Sequence, residues 1–164
     1  MRYSKYLKRI YISLYDFSDE IIVAEFPKCG GSFLSLTLAH FQAFPNSNVN
    51  PSIYSINSFV RDLDQIQPLS FFKKSKSNIS KTHKNYSKNF KNIVCLTRDP
   101  YEVMNSYYRH LKIRGKIQKK ITLLDFVKAP KYGISAYCIF LKSYYEAPLQ
   151  SNIMFVKYED LLKN

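Results

Sequence analysis

The chain has 164 residues, 46% of them hydrophobic, which suits one domain with a buried core and excludes a disordered polymer. Its 25 Lys and Arg against 12 Asp and Glu give a net charge of +13, a field that attracts nucleic acid, lipid headgroups or phosphorylated small molecules. Three cysteines without paired spacing and three histidines without ligand spacing exclude a disulfide framework and a zinc site, and no apolar run approaches the roughly 20 residues of a spanning helix.

In chain order, residues 1–20 are basic and lack a continuous apolar stretch, so no signal peptide is expected and a reducing, cytoplasmic location is the default. Residues 20–26 (EIIVAEF) are short, apolar and β-branched, the pattern of a buried parallel strand. A turn-rich break follows at Pro27-Lys28-Cys29-Gly30-Gly31-Ser32, then residues 33–41 (FLSLTLAHF) read as a buried helix. Residues 42–78 are the least readable, with loops and a short helix expected around 58–66. Residues 79–83 (ISKTH) and 92–97 (NIVCLT) read as strands, and Pro100 opens a helix over 101–111. Two more helices are expected at 122–128 and 133–145, and a last strand at 153–156. The Lys-rich stretches 71–76 and 116–120 read as solvated loops or helix ends.

Strands alternating with helices imply a three-layer α/β domain with a central parallel sheet, taken as one unit over residues 1–164. The turns after Phe26, Thr97 and Val156, with the one holding His83, would then converge at the carboxyl ends of the strands. In the first turn, glycines let backbone N–H groups face an anion, the helix N-terminus adds partial positive charge, and Lys28 adds a full one. Taken alone it reads equally as an ordinary βα turn with two glycines. It is not a Walker A loop, because the lysine precedes the glycines. Arg98 lies just past a strand end, where its guanidinium could grip a phosphate, and Ser106, eight positions on, lies two helical turns in. Taken alone, a surface Arg98 paired with Asp99 or Glu102, beside a helix-surface serine, is the better reading of that pattern.

Together these segments resemble the sulfotransferase family. Residues 28–33 look like the family's 5′-phosphosulfate loop, usually PKSGTTW. Residues 98–108 look like its 3′-phosphate motif, usually RNPKDVxVSYY, and residues 154–164 like the segment ending in YEDLxxN. The resemblance covers about residues 20–41 and 79–164 and implies a P-loop NTPase-like topology. It further implies 3′-phosphoadenosine 5′-phosphosulfate as donor, adenosine 3′,5′-bisphosphate as product, no metal, and a small-molecule or glycan acceptor with no specific nucleic acid. Lys28 would stabilise the leaving phosphate, and Gly30, Gly31, Ser32 and Phe33 would form the 5′-phosphate loop. Arg98 and Ser106 would hold the 3′-phosphate, and Tyr158 would approach the adenosine. In the stretch Lys81-Thr82-His83, His83 resembles the family's general base, although a histidine in a Lys-rich stretch is also an ordinary surface residue. His40 and His110 read as helix-surface residues, Cys29 as chemically inert, and the pairs Tyr107-Tyr108 and Tyr144-Tyr145 as packing residues.

The sequence departs from the family pattern in places. Gly31 and Ser32 stand where two threonines are usual, and Phe33 where tryptophan is, so donor affinity is expected to be weaker while backbone contacts survive. Many members continue past the YEDL segment into a basic closing loop that nothing after Asn164 supplies, which leaves a compact variant, a truncated product or a fragment open. The competing readings are a nucleotide or small-molecule kinase and a non-catalytic binder of anions or nucleic acid.

Overall fold

The computed structural model describes residues 17–44, 49–65 and 77–163. Five strands run parallel in one sheet: β1 (Phe17–Glu25), β2 (Arg61–Asp62), β3 (Ile79–Thr82), β4 (Phe90–Thr97) and β5 (Asn152–Lys157), in spatial order β2-β3-β1-β4-β5. Between them lie helices α1 (Gly31–Ala43), α2 (Pro100–Ile113), α3 (Leu123–Lys128) and α4 (Ile134–Tyr145), a 3-10 turn at Ile56–Ser58, and after β5 the short α5 (Tyr158–Leu161). This is an α/β fold with a central parallel sheet flanked by helices, as the alternation of elements implied. Helices α2, α3 and α4 pack on one another, while α1 meets the 3-10 turn.

Strand β1 holds the centre because it can be buried on both faces: Ile22, Val23 and Ala24 are fully enclosed. It begins earlier than the apolar run suggested. Past a register shift, Phe17 pairs with Phe90 of β4 and the two rings meet edge-on at 5.4 Å. The register sets the heights of the loops. Ala24 lies beside Thr82 on one side and Cys95 on the other, so Glu25 and the residue after β3, His83, emerge level with Leu96.

The helix expected around residues 58–66 is replaced by the 3-10 turn and by β2, which pairs with β3. Long-range ionic contacts decide this. The Arg61 guanidinium clasps both oxygens of Glu20 and donates to Ser80 Oγ at 3.1 Å, and Ser80 itself donates to Glu20 at 2.6 Å. Beside them Lys81 lies 3.4 Å from Asp62. Such buried charges require partners, and strand geometry across β1, β2 and β3 supplies them. Residue 66, the basic stretch 71–76, residues 1–16 and Asn164 lie outside the described residues.

Helix α2 starts where its sequence dictates: Asp99 caps it by accepting the Glu102 N–H at 3.0 Å, with Pro100 in the first turn. Thr122 and Asp125 form a reciprocal capping box on α3. The aromatic pairs pack as expected with one exception. Tyr107 meets Phe26 and Phe126 edge-on, Tyr108 lies against Phe126, and Tyr144 is buried against Phe140, but Tyr145 is 82% exposed, its ring 5.9 Å from that of Phe155 on the edge strand. Among the described residues, no helix is long and apolar enough to cross a membrane.

Candidate active site

The loop between β1 and α1 is held in a shape most residues resist. Lys28 has φ 76° and Gly30 φ 104°, both left-handed, and the Cys29 N–H closes a turn onto the Phe26 carbonyl at 3.1 Å. A side chain at Gly30 would meet the Tyr158 ring at 2.2 Å, so glycine there admits the aromatic. Cys29 points inward, fully buried, and burial pushes its thiol up to about 12, which fits an inert packing residue. Helix α1 begins at Gly31, and its first N–H groups lack intrahelical acceptors. That of Gly31 goes to Glu25 Oε2 at 2.5 Å, whereas Ser32 and Phe33 lie exposed at the helix mouth.

The facing wall is built on β4 and α2. Arg98 leaves β4 with its backbone clamped by Tyr137, whose hydroxyl donates to the Arg98 carbonyl at 2.8 Å and accepts the Arg98 N–H at 3.2 Å. The Arg98 guanidinium donates through Nη1 to the Lys28 carbonyl at 3.2 Å, reaches Glu102 at 3.4 Å, and lies 4.6 Å over the Tyr158 ring. The Glu102 pair thus exists, as the surface reading of Arg98 required, but the same guanidinium also closes onto the glycine loop. Tyr158 stands between Arg98 and Phe33, whose ring it meets edge-on at 6.1 Å.

The third wall is the end of β3. The His83 N–H donates to Asp64 Oδ2 at 2.6 Å, and His83 Nδ1 lies 3.0 Å from the Glu25 carbonyl oxygen. A carbonyl only accepts, so Nδ1 carries the proton and Nε2 of the neutral ring is left as the basic nitrogen. All these residues share one cleft of about 580 Å³: Lys28, Gly30, Gly31, Ser32, Phe33, His83, Arg98, Ser106 and Tyr158 each line it. Among the described residues, no group of three or more His, Cys, Asp or Glu could hold a metal ion.

The family profile described as "Sulfotransferase domain" matches residues 18–164. The chain belongs to the sulfotransferase family. Its fold is similar to that in the crystal structure of retinol dehydratase in complex with androsterone and the inactive cofactor PAP, with a TM-score of 0.67 at 17% identity over 98% of this chain. The chain spans 60% of the length of that protein. No curated protein matches it in sequence.

The chain places residues in the cleft that its sequence did not single out. His110 and Arg114 line it one and two turns beyond Ser106, so His110 is part of the cleft and not merely of the helix surface. Burial, then Lys28 and Arg114, hold the His110 imidazole below its ordinary range. The i, i+4, i+8 spacing of Ser106, His110 and Arg114 on α2 was the available signal. Glu25, Asp62 and Lys81 also reach the cleft. Glu25 explains the departure at Gly31: its carboxylate fills the space of the missing side chain, and a Cβ at Gly31 would lie 1.8 Å from Glu25 Oε1.

Proposed function

We propose that the chain transfers a sulfuryl group from 3′-phosphoadenosine 5′-phosphosulfate to a hydroxyl or amine of a small-molecule or glycan acceptor. The observation that carries this reading is the 3.2 Å contact of Arg98 Nη1 with the Lys28 carbonyl, which joins two anion-binding motifs 70 residues apart at one cleft. The cleft fits such a donor. Its volume of about 580 Å³ lies inside the ordinary range for cofactor sites. Lys28 with the N–H groups of Ser32 and Phe33 suits a 5′-phosphate, and Gly30 and Gly31 let the backbone come close. Arg98 and Ser106 suit a 3′-phosphate, and Tyr158 offers its ring to the adenosine. The relative of known structure that carries PAP, at 17% identity, supports the same choice of nucleotide.

When bound, the donor supplies the sulfuryl group and a phosphate leaving group. The chain's own residues do the rest. Lys28 and Arg98 provide fixed positive charge where negative charge develops, in a site that needs no reorganisation. His83 takes the acceptor proton on Nε2, since Nδ1 is committed to the Glu25 carbonyl. A cytoplasmic location belongs to this reading, because Cys29, Cys95 and Cys138 are all free thiols.

Donor consumption across a panel of phenols, sugars and amines tests the activity. Calorimetric titration with adenosine 3′,5′-bisphosphate and with ATP tests the site. The reading requires tighter binding of the bisphosphate. Preference for ATP would point to a kinase, and salt-sensitive DNA binding without nucleotide binding to a non-catalytic basic domain.

A further inference from the structure

Glu25 is an odd residue to find beneath a phosphate loop. It ends β1 only 4% exposed, and burial holds its carboxyl above the ordinary range against the pull of His83, the Gly31 N–H and Lys81. A carboxylate there opposes an anionic ligand unless it serves another group. The structure shows what it touches. Oε2 takes the first helix N–H, of Gly31, at 2.5 Å, Oε1 lies 3.9 Å from His83 Nδ1, and its own backbone carbonyl is 3.0 Å from the same nitrogen. Gly31 is the residue that makes room, since any Cβ there would overlap the carboxylate. One residue therefore grips the glycine loop with a carboxylate oxygen and the imidazole with its main-chain carbonyl, and sets its other carboxylate oxygen near the same ring nitrogen.

We propose that Glu25 is a positioning residue, which ties His83 to the loop and stabilises the imidazolium that forms when Nε2 accepts a proton. This rests on the reading of His83 as the base. The carbonyl, 3.0 Å from Nδ1, fixes the tautomer and ring orientation, and the carboxylate 3.9 Å away, when ionised, favours the protonated ring. The other charges around His83 are Asp64 and Asp62 by β2, Lys81 on β3, Lys28 in the loop, and Arg98, His110 and Arg114 across the cleft. Glu25→Gln removes none of these groups.

The test is the protonation of His83 followed by NMR in the wild type and in Glu25→Gln, whose amide oxygen still accepts the Gly31 N–H. A second variant, Glu25→Ser with Gly31→Thr, refills the space with the family's usual threonine. In both, His83 is expected to protonate at lower pH than in the wild type. The acidic limb of the pH profile of kcat should move the same way, and in Glu25→Gln, which leaves the loop residues as they are, kcat should fall about tenfold while affinity for adenosine 3′,5′-bisphosphate stays within about twofold. Identical His83 titration curves in wild type and variants would overturn the proposal. That outcome is separable from failure of the base assignment, which would show as sulfuryl transfer surviving His83→Ala.

Discussion

The loop wall of the cleft takes its geometry from consecutive residues between β1 and α1, whereas the third wall, at the ends of β2 and β3, is assembled from residues far apart in the chain. On the first, Lys28, Gly30 and Ser32 lie within five consecutive residues, and the left-handed backbone at Lys28 and Gly30 shapes the turn. On the second, Arg61 reaches Glu20 across 41 positions, His83 reaches Glu25 across 58, and Asp64 holds the His83 N–H across 19. Under the proposed function, donor anchoring would rest on local backbone shape, and orientation of the base on long-range polar contacts. The two walls should fail differently.

The largest expected effect is on chemistry. His83→Ala should cost roughly 10²–10⁴-fold in transfer and leave bisphosphate binding intact, as single-turnover rates alongside calorimetry would show. Retained turnover would dissociate the β3 wall from the reaction. Next, Arg61→Ala leaves the buried Glu20 without its charged partner, with the Ser80 hydroxyl still donating to it, and should destabilise the fold by about 3–5 kcal/mol in urea unfolding. A loss below about 1 kcal/mol would mean the β2 edge is not held by that cluster.

These predictions also mark what was legible beforehand. β1, β4 and β5 and the helices after residue 100 could be read because apolar runs and caps are local signals: Asp99-Pro100 starts α2 and Thr122 starts α3 as their types demand. The nine residues expected at the site all line one cleft, because each follows a strand end or a helix start. β2 was not legible. Arg61–Asp62 is a two-residue strand with no periodicity, fixed by Glu20, Ser80 and Lys81. Glu25 was hidden for a similar reason. It sat inside an apolar strand pattern, and only the fold brings the empty place at Gly31 and the His83 ring to it.

Smaller effects sharpen the contrast. Arg98→Ala should weaken bisphosphate binding about 10- to 100-fold while the fold survives, since the loss is one charge-assisted anchor. The raised Glu25 carboxyl gives a signed pH dependence. The folded chain holds this proton more tightly than the unfolded one, so its contribution to stability is complete below the ordinary carboxylate range and is lost as pH rises through the raised value. Denaturant midpoints followed upward from the ordinary carboxylate range should therefore lose a downward component in Glu25→Gln. An unchanged profile would mean Glu25 is not the group responsible. The smallest effect is on thiol chemistry: Cys138 is exposed and should react with a thiol reagent in the native state, while buried Cys29 and Cys95, both pushed up to about 12, should react only on unfolding.

The most direct test compares adenosine 3′,5′-bisphosphate with adenosine 5′-monophosphate, which lacks the 3′-phosphate, by calorimetry on wild type, Lys28→Ala and Arg98→Ala. Lys28→Ala should weaken both ligands alike, and Arg98→Ala should weaken only the bisphosphate, erasing the preference between them. A preference that survives in Arg98→Ala would contradict a cleft in which Lys28 and Arg98 hold the two phosphate ends of one nucleotide.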